Sequence, residues 1–195
     1  MPTRPGSRAA LPVVDVQVGV VASAWQRDAV VGCIALAVAR ARTAGVPVVW
    51  VQHQDDELPA GTPAWEWVPE LPPQDGELRI HKRFNSGFED TALLAELDRL
   101  GVNHLVLAGA STNWCIRATA YGALERGFDL TLVGDGHTTV DLDLGPGRTV
   151  PARALIDDLN TAMQWLSYPG RRNQVVDAAD LDFTTGIPSP AAPAC

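Results

Sequence analysis

Cysteine is scarce in this sequence. Three stand in 195 residues, at Cys33, Cys115 and Cys195, an odd number without regular spacing. That excludes a disulfide framework and points to a reducing, cytoplasmic setting. Basic residues are also few. Fifteen Lys and Arg face 23 Asp and Glu, a formal net charge of −8, which argues against nucleic acid or an anionic membrane surface as the main partner. No apolar run approaches the ~20 residues of a membrane span, and residues 1–10 lack the apolar stretch of a secretory leader. The first strand-to-helix turn, residues 15–19, has no G-x-G-x-x-G, which sets aside a dinucleotide-binding domain. Neither an internal repeat nor a linker divides the chain.

What is present is a sequence that is 46% hydrophobic and 19% charged, enough to bury the core of one domain spanning residues 1–195. Strand-like and helix-like segments alternate. Residues 11–16, 46–52, 77–83, 104–110 and 129–133 read as strands, and 174–177 as a last edge strand. Residues 28–44, 90–100, those following Cys115, and a segment through Trp165 capped by Thr149 and Pro151 read as helices. Alternation of this kind predicts an α/β fold, a three-layer α/β/α arrangement on a mainly parallel six-stranded sheet. Residues 54–76 form a long irregular connection with two tryptophans, read as a lid or an interface segment. Residues 1–10 and 187–195 read as flexible tails.

The stretch 105–121 carries the chemistry. It begins as an apolar strand, turns through small residues at 109–112, and puts Cys115 at the start of a helix. Free N–H groups and the positive end of a helix dipole favour thiolate, so the segment reads as a nucleophile turn. Asp15 and Lys82 also follow strands. In a parallel sheet such ends share one edge, where ligands collect. A nearby ammonium lowers a thiol's pKa, and a carboxylate can take its proton and return it to a leaving group.

Four ordered blocks then carry a resemblance: Asp15-Val-Gln17; Lys82-Arg-Phe-Asn-Ser-Gly-Phe88 with Thr91; Gly109-Ala-Ser-Thr-Asn-Trp-Cys115 with Thr119-Ala120; and Val133-Gly-Asp135. Over residues 11–183 the chain resembles the isochorismatase-like cysteine hydrolases. The resemblance implies a catalytic triad of Asp15, Lys82 and Cys115, with a covalent thioester in amidase members. It implies a non-proline cis peptide at Ala110–Ser111, turning the Ser111 N–H to join that of Cys115 as an oxyanion hole. It implies a small-molecule substrate, no cofactor, and assembly as a dimer or larger homo-oligomer.

Departures bear on substrate. Nicotinamidase members bind a metal through an Asp-x-His and a further His after the second strand. This chain reads His53-Gln-Asp-Asp56 there, with no second His before His81, so no metal is expected. Where the family commonly has an aromatic, Val18, Gly19 and Val20 stand, which implies either a wider pocket or a wall formed by Trp25. Gln17, Trp65, Phe84 and Trp114 complete the candidate pocket, with Trp67 a further aromatic. Arg117 is placed to meet a substrate carboxylate or a neighbouring acid. His137 reads as a surface-loop histidine. The tryptophan loop and residues 166–170 (Leu-Ser-Tyr-Pro-Gly) resemble streptothricin-hydrolase-like members. The reaction indicated is hydrolysis of a C–N bond in an amide, carbamoyl or lactam group. The alternatives are vinyl-ether hydrolysis and a non-catalytic binding protein that keeps the fold.

Overall fold

Six runs rich in apolar residues line up as one sheet in the computed structural model, which describes residues 4–183. The strands are β1 (Arg8–Val14), β2 (Val48–His53), β3 (Leu78–Lys82), β4 (Val102–Ala110), β5 (Asp129–Thr138) and β8 (Asn173–Val176). Their order is β3-β2-β1-β4-β5-β8, and every neighbouring pair is parallel. Two short strands, β6 (Leu142–Asp143) and β7 (Thr149–Val150), pair antiparallel outside it.

Parallel strands are buried on both faces because their crossover helices cover both. Here the two faces carry two cores. On one, α2 (Arg27–Thr43), which follows the single turn α1 (Val18–Val21), lays Val30, Val31, Ile34 and Val38 over Leu11, Val13, Trp50 and Val106. On the other, α3 (Leu93–Arg99), α4 (Arg117–Glu125) and α5 (Ala152–Trp165) set Leu93, Leu97, Leu124, Leu159 and Met163 over Val14, Val51, Leu105 and Leu107. Leu11 and Val13 face one core while Ala10 and Val14 face the other, the period of two that a strand imposes. This is the three-layer α/β fold read from the sequence.

Sequence order runs outward from β1 through β2 to β3, then restarts on the other side with β4, β5 and β8. The reversal lies between β1 and β4, where an α/β sheet opens a crevice at the carboxyl ends of its strands. Gly109 lets these two strands close up just before the crevice. Its φ is +132°, and a Cβ there would stand 2.0 Å from the Val14 carbonyl oxygen, so no side chain fits.

Some boundaries differ from the sequence reading. β1 starts at Arg8, three residues early, because Arg8 and Ala9 still pair with β4. β5 runs through Gly134-Asp135-Gly136 to Thr138 rather than stopping at Val133. Those glycines fit the strand because Cβ atoms there would press on Val175, Asp177 and Val133. Pro151, not Thr149, is the N-cap of α5, and the first helical N–H, that of Ala152, donates to the Asp141 carboxylate at 2.8 Å. Residues 141–148, polar and rich in glycine, contain β6 and part of a small hairpin. The tail expected at 187–195, with Cys195, lies outside the described residues.

Candidate active site

Each strand that reaches the crevice hands over one polar side chain. β1 ends at Val14, and Asp15 turns into the left-handed region at φ +53°, a conformation that Asp tolerates better than most residues. Its N–H still donates to Val51 O at 2.8 Å, so the turn is anchored to β2. The Asp15 carboxylate is buried. Lys82 is the last residue of β3, two strands away, and its side chain is wholly buried. It must cross the end of β2 to reach the centre, a span of about 10 Å at the usual strand spacing.

The lysine makes that crossing. Its Nζ lies 2.6 Å from Asp15 Oδ2, 3.2 Å from Cys115 Sγ, 3.1 Å from the Phe84 carbonyl oxygen and 3.3 Å from His53 Nδ1. The approach to Asp15 is a buried ion pair, and the Cys115 thiol also lies close enough to interact with the Asp15 carboxylate. An ionised carboxylate beside a thiol has lone pairs able to take its proton.

Cys115 stands on a π-helical turn, Thr112–Ile116, that leads directly into α4. It is the fourth residue of that turn, not the first residue of a helix as the sequence reading had it. The Ala110–Ser111 peptide that precedes the turn is cis. The Ser111 carbonyl oxygen accepts from the N–H groups of Trp114 and Ile116, each at 3.1 Å, and this ties the turn closed.

Electrostatics overturn another expectation. Burial pushes the Cys115 thiol up to about 12, the Asp15 carboxylate adds to the rise, and Lys82 works against both. Asp15 is itself pushed up by burial and held down by Lys82. The sequence reading counted only the ammonium and a helix end, and so expected a lowered thiol. The pocket contains one cation and two groups able to be anionic. With Asp15 ionised and the thiol protonated it is neutral, and a thiolate beside an ionised Asp15 would leave it negative in a low-dielectric site.

Residues 9–145 match the Isochorismatase domain family model. The chain belongs to the isochorismatase family. A streptothricin hydrolase of Streptomyces noursei is 38% identical to it over 153 residues, 73% of this chain and 60% of that protein. A maleamate amidohydrolase of Pseudomonas putida is 36% identical over 96 residues, 46% of this chain and 45% of that one. The chain therefore spans less than two thirds of either relative. The crystal structure of an isochorismatase from Pseudomonas putida KT2440 superposes with a TM-score of 0.80 at 26% identity, over 93% of this chain and 94% of that one.

Within this isochorismatase-family frame, the pocket residues named from sequence separate into two groups. Phe84 and Trp114 are 45% and 52% exposed and stand next to the polar centre in the chain, so they remain candidates to meet a ligand. Gln17 does not. It is fully buried and its amide is spent on backbone: Nε2 donates to His53 O at 3.0 Å and Trp65 O at 2.9 Å, while Oε1 accepts from His53 N at 2.9 Å. Gln17 is a clamp that fixes the 54–76 loop to the sheet. Trp65 is part of that clamp through its carbonyl, which also accepts from Gln52, and its ring meets His81 edge-on at 5.6 Å. The loop is a packed cover, with Val68 and Leu71 in the core and Trp67 against Trp50 at 5.1 Å. Trp25 is half-buried and tied to the end of β5, its N–H donating to Thr139 O and its carbonyl accepting from Thr138 Oγ1. Arg117 pairs with Asp158 of α5, the neighbouring acid.

Two groups escaped the sequence reading. His137 is not a surface residue. It is buried, with Nδ1 2.9 Å from Thr112 Oγ1 and Nε2 2.9 Å from Asn160 Oδ1, and it pins the Thr112–Ile116 turn to α5. His53 touches Lys82 directly. Among the described residues no group of three or more His, Cys, Asp and Glu is arranged to hold a metal ion. The sequence offers His53 as a metal ligand or as an ordinary surface or core residue; its position at a strand end, like those of Asp15 and Lys82, is the signal that places it at the site.

Proposed function

We propose that this protein is a cysteine hydrolase that cleaves a C–N bond of a small amide, carbamoyl or lactam substrate. The observation that carries the reading is the trio at the β1–β4 crevice, with one buried ammonium 2.6 Å from a buried carboxylate and 3.2 Å from a half-buried thiol. Relatives named as streptothricin hydrolase and maleamate amidohydrolase support the same reaction class. Cys115 Sγ attacks the carbonyl carbon as Asp15 takes the thiol proton. The net charge of the pocket is unchanged by that transfer, so the raised thiol pKa is no obstacle when attack and transfer are concerted. The developing oxyanion is received by the N–H groups of Ser111 and Cys115. The C–N bond breaks as Asp15 returns its proton to nitrogen, leaving a thioester. Water, with Asp15 again as base, releases the acid and restores the thiol.

A lactam of the streptothricin type is the substrate we favour within that class. The test is incubation with streptothricin and a panel of small amides, read by mass spectrometry. Ring opening with a gain of one water, and a Cys115 acyl adduct trapped on rapid acid quench, are expected. Trapping that adduct would exclude vinyl-ether hydrolysis, which needs no acyl-enzyme, and turnover that survives Cys115→Ala would end the reading. We also infer that the protein works in the cytoplasm and as a homo-oligomer. Light scattering should return a multiple of the 20.8 kDa chain mass. No described helix is long and apolar enough to cross a membrane.

A further inference from the structure

His53 and Lys82 are register partners on adjacent parallel strands, so their side chains leave the sheet on the same side. The lysine must pass the histidine on its way to Asp15. At that crossing Nζ and Nδ1 are 3.3 Å apart. An ammonium only donates, so Nδ1 must present its lone pair, and the ring proton must then sit on Nε2. Nε2 lies 2.9 Å from Asp55 Oδ2, an acceptor suited to that proton. Asp55 is itself fixed, because its Oδ1 accepts from the N–H groups of Leu58 at 2.7 Å and Glu57 at 2.9 Å. The backbone of His53 is gripped on both sides by Gln17. Every link in this series has one consistent direction of donation, from Lys82 to His53 and from His53 to Asp55.

We propose that His53 is a positioning residue for Lys82: its Nδ1 holds the ammonium between Asp15 and Cys115, and Asp55 fixes the tautomer that lets it do so. This rests on the reading of Lys82 as the cation that serves Cys115. The charged groups that face His53 are Lys82 from β3, Asp55 from the loop after β2, and Asp15 from the end of β1.

The experiment is the rate of iodoacetamide alkylation at Cys115, read on its peptide by mass spectrometry, in the full chain. His53→Asn offers an amide oxygen toward Lys82, and His53→Phe offers no acceptor. Losing a hydrogen bond to a charged group is expected to slow Cys115 in the Phe variant by about tenfold or more, while the Asn variant stays close to the parent. Asp55→Asn keeps the Oδ1 contacts to the loop and puts an NH2 donor where Oδ2 accepted from His53, which favours the wrong tautomer, so it tests the same chain of contacts if the Phe variant does not fold. It should slow Cys115 in the parent and do little in the His53→Asn background. The proposal is overturned if His53→Phe alkylates like the parent, if His53→Asn is as slow as His53→Phe, or if Asp55→Asn is equally harmful in both backgrounds. Lys82→Ala separates the two levels. If it slows Cys115 while the His53 variants do not, only the role of His53 fails. If it leaves Cys115 unchanged, the reading of the lysine itself fails.

Discussion

Lys82 is a single cation between two groups that compete to carry the negative charge. That competition makes opposite predictions for its two neighbours. Asp15→Asn removes the rival anion and should lower the pH midpoint of Cys115 alkylation, although burial still holds the thiol above an ordinary one. Lys82→Ala removes the opposing cation and should move the midpoint further up. Hydrolysis should fall in both, by roughly 10²–10⁴-fold for Asp15→Asn, because positioned acid–base groups are worth about that much. A midpoint that moves the same way in both variants would falsify the shared-charge description. That Asp15, Lys82 and Cys115 converge was legible in the sequence because each stands at or shortly after a strand end, and parallel strands deliver their ends to one edge. The sign of the thiol shift was not legible, since burial and the 2.6 Å approach of Lys82 to Asp15 are properties of the packed site. Gln17 was misassigned for a related reason. A buried amide near a nucleophile reads as a substrate contact until its partners are seen to be backbone.

At the scale of elements, β5 does two tasks. It stands between β4 and β8 in the sheet, and through His137 at its far end it fastens the Thr112–Ile116 turn to α5. Burial lowers the pKa of His137 to about 4, from the ordinary 6.5. Between those two values the unfolded chain binds the proton and the folded chain does not. Stability is therefore complete above about pH 6.5 and is lost as pH falls towards 4, by up to roughly 3 kcal/mol. His104, on β4 and also lowered to about 4 by burial, contributes with the same sign. Urea midpoints measured across this range should fall with acidification, and His137→Gln should flatten part of the slope. An unaltered slope in that variant would remove His137 from the account. The sequence showed β5 as an apolar run but broke it at Gly134, because glycines ordinarily end such runs. Here they mark places where a neighbouring strand and Val133 leave no space for a Cβ. The helix start at Cys115 was misread in a similar way, since a π turn and an α turn share their side-chain pattern over so few residues.

For the molecule as a whole, the sheet order decides how the site is assembled. Asp15 and Cys115 belong to the central strands or follow them, but Lys82 comes from β3, which is hydrogen-bonded to β2 alone and forms one margin of the sheet. Alternating apolar and polar segments were sufficient to read the layers and the number of strands; nothing in that pattern says which strand lies at the border. Border strands open at lower free energy than the interior, often without the rest of the fold following. The protein should therefore fail in two stages. As urea or temperature rises, hydrolysis and Cys115 reactivity should decline while the far-ultraviolet circular dichroism of the sheet and helices is still intact. The chain would spend that interval folded and inert, and a return to mild conditions should restore turnover without a slow refolding phase.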